Sequence, residues 1–192
     1  MIIQVRGTSG SGKSWVVHTL MKELSEMWIP VKGRWKNKKR RIPLYYVTKL
    51  TNGKIVVVCG GYESTCGGCD NIGSAKHVFW LYAKIRESFP TAVIISEGLL
   101  LSEDSKWTIK AQEMGWEPRA VFLSTDVDLC IDQINARRKA AGKNEPIPET
   151  NTRKRVEVIK RAKVKLKDAG VWSHMYPVTA TVKLVKGMLD AK

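Results

Sequence analysis

Residues 7–14 read Gly-Thr-Ser-Gly-Ser-Gly-Lys-Ser, directly after the apolar run at 2–6 and directly before apolar positions Val17, Leu20, Met21, Leu24 and Trp28 at helical steps. The GxxxxGK[ST] spacing is informative in this context of strand, loop and helix. Glycines let backbone N–H groups turn inward around phosphate oxygens, and the following helix adds its positive N-terminal end. Gly7, Thr8, Ser9, Gly10, Ser11, Gly12, Lys13 and Ser14 are therefore expected to hold the phosphates of ATP. Lys13 would reach the β and γ phosphates, and Ser14 would offer an oxygen to Mg2+. A glycine-rich turn without a ligand would not require both flanks.

The rest of the chain alternates strand and helix signals. The helix after Lys13 is expected to run to Pro30, and the basic stretch after it to form an exposed loop. Residues 44–50 and 54–59 are rich in Val, Ile and Tyr around Asn52-Gly53, which predicts a β-hairpin. Five glycines within 60–73 predict a close-approach loop. Val78, Leu81, Tyr82, Ile85 and Phe89 lie on one face of a predicted helix that stops before Pro90.

Residues 92–96, Ala-Val-Ile-Ile-Ser, read as a central parallel strand ending at Glu97-Gly98. One helix carrying Trp107, Ala111 and Met114 should close at Gly115, and a strand should follow at 120–123. Asp126 is placed to cap a helix reaching Arg138. Breakers at 142–148 precede a basic amphipathic helix with Val156, Ile159, Ala162 and Leu166 inward, then a short strand or turn and a terminal helix. The expectation is one α/β domain over 1–192: a mostly parallel sheet with helices on both faces, a β-hairpin insertion and a helical lid at about 126–150.

In open α/β sheets, ligands gather at the carboxyl ends of the strands. Glu97 leaves such an end, where it would hold Mg2+ or accept a proton; a helix cap or ion pair is the plainer alternative. Asp70, and less so Glu63, would orient an acceptor hydroxyl from the second glycine-rich loop, with Asp70 or Glu97 taking its proton, or they would merely stabilise turns. Arg137 and Arg138 would fold over a transferring phosphoryl group, or only complement the helix C-terminus.

Thirty-three Lys and Arg against eighteen Asp and Glu give a formal charge of +15, which calls for a polyanionic partner more than for solubility alone. The charge is clustered. Residues 32–41 hold seven basic residues and Trp35, so Arg34, Trp35, Lys36, Lys38, Lys39, Arg40 and Arg41 form a candidate DNA-binding patch. Residues 153–167 hold eight more with only Glu157. Four cysteines without a secretory signal point to a reduced, cytoplasmic setting, and no long apolar run suggests a membrane span. Cys66 and Cys69, with Cys59 and His77, are a weak zinc pattern because no second CxxC accompanies them.

The loop at 7–14, the strand ending in Ser96-Glu97-Gly98 and the stretch at 122–138, FLSTDVDLCIDQINARR, together resemble the P-loop, second acidic motif and lid helix of thymidylate-kinase-like nucleoside and nucleotide kinases. The resemblance follows element order over nearly the whole chain, and only the glycine-rich loop is highly specific. The Asp-Arg pair and the acceptor-phosphate arginines of thymidylate kinases are missing. Within the group, the chain looks most like phage-encoded kinases of 5-hydroxymethyluracil in DNA. That resemblance implies ATP and Mg2+, a base hydroxymethyl acceptor, 5-phosphomethyldeoxyuridine as product and, for a phage protein, the host cytoplasm. A kinase for free nucleosides or nucleotides, and a nucleic-acid-binding ATPase that phosphorylates nothing, are the competing readings.

Overall fold

A computed structural model describes residues 1–35, 38–39, 42–63 and 67–190, with the side chains of 34, 35, 38 and 39 excepted. The chain opens with β1 (Ile2–Arg6), α1 (Lys13–Leu24), β2 (Ile29–Val31), the short β3 (Arg34–Trp35) and β4 (Lys38–Lys39), β5 (Tyr45–Lys49) and β6 (Ile55–Cys59). A 3-10 turn at Cys69–Ile72 leads to α2 (Ala75–Ser88), β7 (Val93–Glu97), α3 (Leu99–Glu103) and α4 (Lys106–Glu113). Then come β8 (Pro118–Leu123), α5 (Val127–Ala140), α6 (Glu149–Asp168), β9 (Trp172–Tyr176) and α7 (Val178–Asp190).

Seven strands form one sheet in the order β2-β5-β6-β7-β1-β8-β9, parallel from β6 to β9 and antiparallel at the β2-β5-β6 edge. All five residues of β1 are buried, as a strand covered on both faces must be. Ile3 and Val5 pack with Val16, Val17 and Leu20 of α1 and Val182, Val185 and Leu189 of α7. Ile2 and Ile94 face α2 through Val78, Leu81 and Ile85, while Phe122 meets Ile159 and Leu166 of α6. Helices therefore cover both faces of a mostly parallel sheet. At about 25 cal/mol per Å2, these apolar layers supply the main drive for folding.

Arg6 is among the largest fully buried side chains in this core. Its fully buried guanidinium donates to Gln4 Oε1 (2.6 Å), Thr108 Oγ1 (2.6 Å) and the Asp104 carbonyl (2.6 Å), tying α4 to the underside of the glycine-rich loop. Burial pushes its pKa down to about 10, partly offset by Asp104.

Several expectations are corrected. The first helix ends at Leu24, because Ser25 takes an extended backbone and its hydroxyl binds the Met27 backbone; Pro30 lies in edge strand β2, where a missing N–H is tolerated. The hairpin at 45–59 is no insertion, since β6 pairs with β7 inside the sheet. The basic stretch is not simply a loop: β3 pairs with β4. The single helix expected after Gly98 is two, divided where Asp104 accepts from the Trp107 N–H (3.1 Å). The capping of α5 by Asp126 and the left-handed Gly115 (φ +70°) agree with the sequence reading.

No helix among the described residues is long and apolar enough to cross a membrane.

Candidate active site

Strands β6, β7, β1 and β8 run parallel, so their C-terminal loops emerge together. The loop after β1 is fixed from two sides and by a bond within itself. The Gly7 N–H donates to Ser102 Oγ of α3 (3.0 Å), Thr125 Oγ1 donates to the Ser11 carbonyl (2.7 Å), and the Ser11 N–H donates to the Thr8 carbonyl (3.2 Å). Gly10 has φ +76°, and a Cβ there would collide with the Cys130 carbonyl of α5. The side-chain hydroxyls of Thr8 and Ser11 are buried, with no hydrogen-bond partner among the described residues.

Beside this loop lies a polar cavity of about 280 Å3, lined by residues that include Lys13, Ser14, Trp15, Asp70, Glu97, Gln133 and Arg137. Lys13 is 7% exposed and donates through Nζ to the Thr8 carbonyl (2.8 Å). Burial lowers its pKa, against the pull of Glu97 and Asp70. Ser14 Oγ donates to Glu97 Oε1 (3.0 Å). Glu97 is almost fully buried, and burial pushes its carboxyl up to about 7, with Asp70 adding to the rise while Lys13 and the Ser14 hydrogen bond oppose it.

Asp70 lines the same cavity. Its Oδ2 accepts from the Leu99 N–H (2.9 Å) and its Oδ1 from the Leu100 N–H (3.0 Å), so it caps α3. Gly68 allows this crowding: at φ +85° it lies so close to Glu97 that a Cβ would strike the carboxylate.

The residues fit an ATP phosphate chain with Mg2+. Gly10 leaves no room for a side chain in the loop, Lys13 supplies a cation, and the Ser14 hydroxyl with the Glu97 carboxylate is the hard oxygen pair that Mg2+ takes. A second cavity, of about 410 Å3, is mainly apolar and carries none of Lys13, Ser14, Asp70, Glu97 or Arg137. The polar cavity is therefore the candidate site.

The sequence-predicted arginines separate. Arg137 lines the polar cavity, whereas Arg138 donates through Nε to the Glu145 carbonyl (3.2 Å) in the connection to α6. Glu63 does not line the polar cavity. Of the predicted DNA-binding residues, Arg34, Trp35, Lys38 and Lys39 belong to β3 and β4, and Lys36, Arg40 and Arg41 lie outside the described residues. Cys66 of the zinc pattern also lies outside them. Cys59 and Cys69 are buried, and the His77 ring is 3.0 Å from Ser74 Oγ.

Sequence reading missed Gln133 and Trp15 as lining residues, and Ser102 and Thr125 as supports of the loop. Gln133 lies one helical turn before Arg137, a spacing that could have flagged it.

A lysine, a serine and two carboxylates gathered around a glycine-rich loop at the strand ends define a candidate phosphotransferase site. No protein-family model matches the chain. Over 146 residues, 76% of this chain and 73% of the relative, it is 34% identical to the 5-hmdU DNA kinase of Pseudomonas phage PaMx11. The chain belongs to the 5-hmdU DNA kinase family.

Proposed function

We propose that this chain uses ATP and Mg2+ to phosphorylate the hydroxymethyl group of 5-hydroxymethyluracil in DNA, giving 5-phosphomethyldeoxyuridine, a step toward hypermodified thymidine. The observation that carries this reading is the convergence of Lys13, Ser14, Glu97, Asp70 and Arg137 on one polar cavity beside the glycine-rich loop. The phage relative and the +15 charge support DNA as acceptor, and a phage protein acting on DNA would work in the host cytoplasm.

In this mechanism, residues 7–14 bind the ATP phosphates. The target base is extruded from the stack to bring its primary alcohol to the γ-phosphorus. The alcohol oxygen forms a new bond to phosphorus as the bond to the ADP oxygen breaks, in line, and the alcohol proton passes to Glu97. Glu97, buried at the end of β7 beside Ser14, is placed for that task. Lys13 and Arg137 offset the charge on the transferring group. Asp70 lines the cavity and caps α3 beside Glu97. Mg2+ would supply further neutralisation of phosphate charge, with Ser14 to hold it directly and Glu97 through water.

The test is transfer of label from γ-labelled ATP to DNA containing 5-hydroxymethyluracil, beside unmodified DNA and free nucleosides and nucleotides, followed by digestion to nucleosides. Label on the modified base alone is expected. Label only on a free nucleoside or nucleotide, or phosphate release with no labelled acceptor, would overturn the proposal. Lys13→Ala should remove the transfer.

A further inference from the structure

Helix α6 carries eight basic residues against three acidic ones, a large share of the excess charge in a single element. Its inward face is Thr152, Ile159, Ala162 and Leu166. The acids are not spread evenly among the cations. Glu149 pairs with Arg153, Glu157 pairs with Lys160, and Glu103 of α3 pairs with Arg155. Lys154, Arg161 and Lys165 are exposed and have no carboxylate partner among the described residues.

Those three positions are seven and four residues apart, so they fall within about 40° of arc on a 3.6-residue helix and span about 16 Å along it. They form a solvent-facing ridge of one sign. Arg161 and Lys165 repel each other at i and i+4, which costs the isolated helix a few tenths of a kcal/mol. A polyanion laid along the ridge would reverse that cost. At about 3.4 Å of rise per base pair, the ridge matches roughly five base pairs of duplex.

The ridge is also fixed relative to the chemistry. Arg153 ties α6 to Asp128 of α5, and Arg155 ties it to Glu103 at the end of α3 (3.2 Å). The other end of α3 is the one Asp70 caps beside Glu97.

We infer that the outer ridge of α6, formed by Lys154, Arg161 and Lys165, is a docking surface for the sugar-phosphate backbone of DNA beside the target base. This rests on the DNA acceptor proposed above. The ridge contributes position and affinity and reads no sequence, as phosphate contacts do.

The test compares a triple variant, Lys154→Gln, Arg161→Gln and Lys165→Gln, with a control that loses the same charge elsewhere, Lys22→Gln, Lys49→Gln and Lys84→Gln. All six positions are exposed, and circular dichroism melts check that both variants fold. Binding to a fluorescent duplex containing 5-hydroxymethyluracil is titrated at several salt concentrations.

The ridge variant should lose roughly 2 to 3 from the slope of log affinity against log salt. It should also bind tens- to a hundredfold more weakly near 0.15 M salt, and its KM for DNA should rise. The control should lose less than about 1 in slope. Equal slopes in the two variants, or wild-type binding by the ridge variant while the wild type still labels modified DNA, would overturn the docking surface and leave the DNA-kinase reading standing. Failure of the wild type itself to label DNA would bring down the function reading first, and the ridge with it.

Discussion

Ser14 Oγ lies 3.0 Å from Glu97 Oε1, joining the first turn of α1 to the last residue of β7. The strands leading to the two residues run parallel side by side, with Val5 of β1 paired with Glu97 itself. A buried carboxyl and a hydroxyl thus meet at the mouth of the loop, and the chain bears the desolvation of an acid there to keep it.

That cost should be visible in pH-dependent stability. The folded pKa of Glu97, about 7, lies above the ordinary value of 4.5, so the folded state binds the extra proton between those values. Stability contributed by the neutral acid is therefore present below about pH 4.5 and is lost as pH rises through 7. With EDTA present, Glu97→Gln should melt higher than wild type at pH 8, by up to about 3 kcal/mol, and the advantage should shrink at pH 5. An advantage independent of pH would contradict a raised Glu97 pKa.

Asp70→Asn and Glu97→Gln should differ in kind. Loss of a cap costs about 1 kcal/mol, so Asp70→Asn should lower the melting temperature by a few degrees. It should reduce transfer less than tenfold, whereas Glu97→Gln should reduce it by about 10^2 to 10^4. Steady-state kinetics on modified DNA with parallel melts separate the two, and near-complete loss of transfer in Asp70→Asn alone would move the proton acceptor to Asp70.

At Gly68 even a methyl group is too much. Gly68→Ala combines a left-handed backbone with a collision against the Glu97 carboxylate, so it should cost about 1 to 3 kcal/mol of stability. The displaced carboxylate should lower transfer about as far as Glu97→Gln does. Thermal unfolding and initial rates measured together would check this.

The neighbouring arginines give a sharp contrast. Arg137→Ala should lower turnover by about 10^3, the scale of an arginine that stabilises a transferring phosphoryl group. Arg138→Ala removes a bond to the Glu145 carbonyl and should change turnover only a few-fold. Single-turnover transfer from labelled ATP distinguishes them from defects in product release.

Much of the fold was legible because its signals are local. The strand before Gly7, the Asn52-Gly53 turn, the Asp126 cap and the left-handed Gly115 each depend on neighbours within a few residues. What escaped depends on distant partners. Nothing near 45–59 shows that β6 would pair with β7, and nothing near Ser25 shows that Thr48 would receive it through a bond to its hydroxyl (2.9 Å). At the site, Lys13, Ser14 and Glu97 could be read from a motif and a strand end. The capping role of Asp70 could not, because its partners, the N–H groups of Leu99 and Leu100, lie about thirty residues away.

Gly10 approaches the Cys130 carbonyl so closely that the loop and the first turn of α5 touch with no side chain between them. A side chain at position 10 would wedge the two apart and carry Arg137, about two turns further along the same helix, away from the loop.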